Sequence, residues 1–147
     1  MQFTHVVSIH LFAAWAGFVC GVSSGAAIGL LFHREDWLGG YGSFKRRLFR
    51  LAHISFFGLG AVNFFFYFTA QTVVAGSLLM FASSAFIAGA VTMPVCCLIM
   101  AHFPNTRSLF ALPVVSLVAG AVLTVAAICS GGNAAGLNHQ LSTIAQP

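Results

Sequence analysis

Charge is what this chain has least of. Only 5% of its 147 residues are charged, six basic and two acidic, and the two acids, Glu35 and Asp36, are neighbours. A soluble domain carries about 25% charge, so this chain cannot cover a water-facing surface and an ordinary soluble globular protein is excluded. No Asp, Glu, Lys or Arg occurs before Arg34, between Arg50 and Arg107, or after Arg107. Pumps, ion-coupled carriers and voltage sensors place ionisable groups at membrane depth. Only histidines are available for that here, so a standalone proton-driven carrier is not expected. A P-loop and an HExxH helix are absent, as is any nucleophile elbow or GxGxxG in a strand–turn–helix setting. The purified chain is therefore expected to be no enzyme. Its one basic cluster is short and flanks a membrane span, which gives no reason to expect a nucleic-acid partner.

What is abundant is apolar length. Hydrophobic residues make up 59% of the chain, including 16 Phe, and the mean hydropathy is +0.96. A spanning helix needs about 20 mainly apolar residues. Four runs meet that length, at about 6–32, 51–70, 73–101 and 109–129. The expected fold is all-α and integral to the membrane: one domain of four transmembrane helices in a compact up-down bundle with short loops. The segment HREDWLGGYGSFKRRLFR, 33–50, is the longest polar loop; TAQT, 69–72, reads as a tight turn; Pro104 breaks the chain after span three; and the uncharged tail 130–147 reads as an extended arm. A cleavable signal is not expected. The opening MQFTHVVSIH has no Lys or Arg, and the apolar run outlasts the roughly 7–15 residues of a signal core.

The basic residues set an orientation. Arg34, Lys45, Arg46, Arg47 and Arg50 lie between spans one and two, and Arg107 between spans three and four. These two loops share a side, and positively charged loops stay in the cytoplasm. The expectation is a bacterial-type inner membrane protein with both termini outside and the tail periplasmic. Trp37 and Tyr41 suit the headgroup belt. The basic cluster also fits contact with anionic lipid or with a partner's acidic loop.

The first span carries Gly17, Gly21, Gly25 and Gly29 at intervals of four, which stacks them along one side of a helix. In lipid such a groove lets another backbone come close. This helix is expected to be the central packing element. Its facing partner would be span four, where Ser116, Gly120 and Thr124 repeat the spacing, or span three, or another subunit.

Six histidines are candidate cofactor ligands: His5, His10, His33, His53, His102 and His139. His10 and His53 fall near opposite faces of a core of about 30 Å, too far apart in depth to share one haem. His53, with His33 or His102, falls near the same face and could hold a b-type haem through axial imidazoles, with Gly60 leaving room for a porphyrin. Asn63 is expected to hydrogen-bond across helices. In span three Met93, Cys96, Cys97 and Met100 are spaced so that Met93, Cys96 or Cys97, and Met100 share a broad face, and soft thiolate and thioether ligands select Cu(I). The competing reading is that all of these are ordinary packing residues. Cys20 and Cys129 add no disulfide pattern.

The stretch SIHLFAAWAG, 8–17, resembles the first helix of several small bacterial membrane families, including copper-resistance type domains. The resemblance covers one helix and implies no particular site residues. Taken together, the expected role is an accessory or anchoring subunit of a larger inner-membrane complex, in respiratory or photosynthetic electron transfer, with lipid and other membrane subunits as partners. Two alternatives are a b-haem-bearing electron-transfer or quinone subunit and a small copper or solute permease.

Overall fold

The computed structural model describes residues 2–73 and 76–144, with side chains for 8–73 and 76–130. His5 and His139 lie outside the described side chains. Four helices, α1 (Gln2–Leu31), α2 (Phe44–Thr72), α3 (Ser77–His102) and α4 (Ala111–Ile144), are joined by two short 3-10 turns, Trp37–Gly39 and Pro104–Phe110, and by a break after α2. All four are long and apolar enough to cross a membrane. Among the described residues there is no strand.

Three boundaries differ from the sequence expectation. Helix α2 begins at Phe44 and not near residue 51, so Lys45, Arg46, Arg47 and Arg50 sit on helix rather than loop. Ser43 caps it: its hydroxyl accepts from the Arg46 N–H at 3.1 Å and donates to the Leu38 carbonyl at 2.7 Å. Lys and Arg are good helix formers whose stems lie along apolar surface. The second difference is the TAQT turn, which is the last turn of α2. Thr69 and Gln71 bond back to the carbonyls of Phe65 and Tyr67, and Thr72 to that of Thr69. These side chains satisfy themselves on their own helix, and extended Gly76 starts α3 instead. The third is the tail. Helix α4 continues past Cys129 to Ile144, where an extended arm was expected. The tail has no proline before Pro147 to stop the helix.

The helices pack in chain order. Down α1 and up α2, Gly17 meets Gly60, Gly21 meets Phe57 and Gly25 meets His53, which is an antiparallel register. Between α3 and α4, Phe86 meets Gly120 and Leu117 meets Gly89. Helices α2 and α3 form the middle; α1 touches α3 lightly, and α1 and α4 do not pack on each other among the described residues. The glycine-bearing α1 is therefore a flanking helix and not the central one. Its groove is filled by α2. Gly120 serves α3, and Ser116 and Thr124 bond to carbonyls of α4 itself. One apolar cluster, Phe66, Ala70, Leu79, Ala82, Phe86 and Ala127, closes the α2–α3 turn end; a smaller one, Leu48, Met100 and Ala101, closes the opposite end.

The α1–α2 connection folds over a buried cation. Arg46 is 1% exposed. Its guanidinium lies 4.8 Å from the Phe32 ring, 5.4 Å from Trp37 and 5.3 Å from Tyr41, and Nη2 donates to the Phe32 carbonyl at 3.2 Å. Cation–aromatic attraction of this kind is strongest when water is excluded. The wrap forces Leu38 into the left-handed region at φ 56° and uses Gly39 and Gly40 at φ 85° and 90°.

Candidate functional site

The polar centre of the bundle is His10, Asn63 and Ser83, one residue from each of α1, α2 and α3. The amide of Asn63 donates through Nδ2 to the Leu59 carbonyl at 2.8 Å. That leaves Oδ1 to accept from His10 Nδ1–H, at 2.7 Å, while His10 Nε2 accepts from the Ser83 hydroxyl, also at 2.7 Å. The Phe66 ring covers the imidazole at 4.4 Å. His10 and Asn63 are wholly buried and Ser83 nearly so. A neutral imidazole with both nitrogens partnered is the cheapest way to keep a histidine in a dry interior. The sequence predicts that Asn63 bonds across helices and offers His10 as a ligand or an ordinary packing residue, without joining the two. The signal that joins them, a polar residue at matching depth on three spans, needs the helix order to be read.

Hydroxyl, imidazole and amide in a row have the connectivity of a nucleophile relay. The surroundings do not serve that chemistry. Ser83 lies inside α3, where backbone N–H groups are already given to carbonyls four residues back, so none is left for an oxyanion. The triad ties three helices together.

The haem candidates lie on three different elements and make no direct contact with one another among the described residues. His53 is half-buried against α1: its Nδ1 lies 3.0 Å from Ser24 Oγ, which also donates to the Gly21 carbonyl at 3.1 Å. His102 is exposed, with Nδ1 on the Leu98 carbonyl at 2.9 Å, and His33 is exposed in the connection. Gly60, the expected space for a porphyrin, is occupied by the α1 backbone, with the Ala14 carbonyl 3.1 Å from where a Cβ would stand.

Of the soft-metal candidates, Cys96 and Met100 each meet a different neighbour. Cys96 points its thiol at the Leu109 carbonyl, 3.5 Å away on the α4 side. Met100 packs with Leu48 of α2. Cys97 is fully buried, and Met93 is half-buried. Adjacent residues on a helix point about 100° apart, so Cys97 does not share the direction in which Cys96 meets Leu109. No group of three or more His, Cys, Asp or Glu is placed to hold a metal among the described residues.

An apolar groove of about 490 Å³ opens between α1 and α3. Ile9, Ala13, Ala16, Gly17 and Cys20 of α1 form one wall, Ile87, Ala90, Val91, Pro94 and Leu98 of α3 the other, and Phe56, Leu59 and Gly60 of α2 the floor. It is open laterally because α4 packs on the far side of α3. One turn beyond its end come Ser24 and His53 on two of the same helix faces, and His102 on the third. Known protein families, characterised proteins and solved structures contain no match to this chain.

Proposed function

We propose that this chain is an accessory, anchoring subunit of a larger complex in a bacterial-type inner membrane, and that the α1–α3 groove receives a helix of a partner subunit. The observation that carries this is the composition of the groove. Ala13, Ala16 and Ala90 line its walls, with the Gly17–Gly60 contact of α1 and α2 behind them, and such small side chains let a further backbone approach closely in lipid. From Ile9 to Cys20 it runs for about 16 Å at the 1.5 Å rise of a helix, enough for three turns of a crossing helix. The low burial of the flanking spans agrees: 11% of the α1 window is buried, against 39% for α3. The electron-transfer setting belongs to the same proposal. It rests on a nearly all-membrane chain whose central polar groups, His10, Asn63 and Ser83, bond to one another.

Cys20 is an exposed free thiol on the groove wall, which supplies the test. In native membranes, a thiol-reactive photocrosslinker on Cys20 should join the chain to a different membrane protein in fixed stoichiometry. Ala16→Trp should abolish the product without lowering the stability of the chain itself. Crosslinks to lipid only, or undiminished crosslinking with Ala16→Trp, would refute the groove as a partner face.

A second reading has its own observation. His53 and His102 both leave Nε2 unpartnered just beyond one end of the groove. An amphipathic carrier such as an isoprenoid quinone would place its tail along the groove and its ring oxygens at these nitrogens. Quenching by a quinone analogue of a fluorophore attached at Cys20, lost in His53→Ala, would favour it over the partner helix.

A further inference from the structure

One face of α2 is covered by neither α1 nor α3. It carries Arg47, Leu51, Ile54, Gly58 and Phe65, spaced three, four or seven apart and so stacked along one side. All five are exposed. A side chain added at Gly58 would meet nothing within 4 Å, so the apolar stripe has an open dip one turn below Ile54. Two further arginines flank its head. Arg50 lies 4.8 Å from the Tyr41 ring and donates to the Tyr41 carbonyl at 3.4 Å. Arg107, from the α3–α4 connection, lies 5.7 Å over the ring of Phe44. Behind them is caged Arg46, whose buried Nε has no hydrogen-bond partner. Neither Glu35 nor Asp36 pairs with any of these cations among the described residues.

We propose that Arg47, Arg50 and Arg107 form a binding site for the phosphodiester of an anionic phospholipid, with an acyl chain lying along Leu51, Ile54 and the Gly58 dip. Three features favour a lipid over an acidic loop of a partner protein. The cations stand directly above an exposed apolar stripe, a sequence of charge then hydrocarbon that matches an amphiphile. The level is that of the helix ends and of Trp37 and Tyr41, where headgroups lie. Two of the three guanidiniums are already held against aromatic rings, so little ordering is left for binding, and arginine's planar fork matches a phosphate better than an ammonium does. Uncompensated positive charge at Arg46 adds to the field at the same point.

The experiment is a lipid titration of the purified full chain in mild detergent, read by native mass spectrometry. Phosphatidylglycerol should be retained well over phosphatidylcholine. R47Q, R50Q and R107Q should each weaken retention about fivefold, the effect of one basic residue near an anionic surface. R34Q, outside the cluster, should leave it unchanged. Gly58→Leu should weaken phosphatidylglycerol binding while melting temperature holds. R50K, which keeps topology and charge, should still lose affinity. Equal loss in R34Q would show diffuse attraction and no site. Displacement of the lipid by an equal concentration of inorganic phosphate would show a free-anion site. No preference for phosphatidylglycerol, with a photocrosslinker at position 47 capturing an acidic protein segment in native membranes, would assign the face to a protein. Any of these three overturns the proposal.

Discussion

A Cβ built on Gly25 would stand 2.7 Å from Cε1 of His53. The histidine ring occupies the space that the missing side chain leaves, and its Nδ1 reaches Ser24 on the same turn. The glycine repeat of α1 and the histidine singled out as a haem ligand are thus two halves of one helix contact.

That contact predicts a graded response along the repeat. Gly17→Ala puts a Cβ 2.8 Å from the Phe56 carbonyl, which is backbone and cannot swing away. It should destabilise the chain by about 1–3 kcal/mol, the usual range for overpacking. Gly21→Ala meets the edge of the Phe57 ring, which can turn, and should cost less. Gly29→Ala meets nothing and should be neutral or slightly stabilising. Thermal unfolding of the purified variants in one detergent checks the order; equal effects at Gly17 and Gly29 would contradict the register.

His10 should be coupled to Ser83 and to Asn63. Hydrogen bonds across membrane helices average about 0.6 kcal/mol in double-mutant cycles, with a maximum near 1.7. His10→Ala should lose two and uncover part of the Phe66 ring, and so should be the most damaging single polar substitution in the spans. A cycle of His10→Ala with Ser83→Ala, measured by reversible unfolding, should give a coupling of that size. Strictly additive effects would mean that the bond is not formed.

Leu38 is a branched residue held at φ 56°, a conformation that costs a non-glycine residue about 1–2 kcal/mol. Leu38→Gly should recover part of this and raise the melting temperature, or leave it unchanged because glycine loses more freedom on folding. By contrast Arg46→Ala should loosen the connection, since Phe32, Trp37 and Tyr41 lose the group they enclose. Limited proteolysis within 33–43 reads both; faster cleavage in Leu38→Gly than in Arg46→Ala would refute the account.

Sidedness is tested by labelling. In a cysteine-free background, Gly42→Cys should be shielded from impermeant maleimide in intact cells, and Gln71→Cys should react. Gly42 has open space and ordinary φ, whereas Gly40 at φ 90° would strain any side chain. Reaction of residue 42 from outside would reverse the orientation drawn from the six basic residues.

Apolar length and the placement of charge are one-dimensional properties, and they were enough for the sequence by itself to determine four helices at membrane-spanning length. They also determined that no acid or fixed cation lies between Arg50 and Arg107. Small residues at intervals of four were legible as a close-packing face, because the spacing alone stacks them. Their partner was not, since the matching small-residue spacing is that of Ser116, Gly120 and Thr124 in α4, whereas Gly60 of α2 has Phe56 and Phe64 four residues away; only the register of α1 against α2 showed that Gly60 faces Gly17. Tertiary structure likewise turned His10 from a candidate cofactor ligand into the centre of a three-helix network. It also gave the Cys96 thiol its partner, the Leu109 carbonyl, which no spacing along α3 indicates. Local propensity decides that a helix forms, but which of its faces meets which neighbour depends on the order and depth at which the other helices arrive.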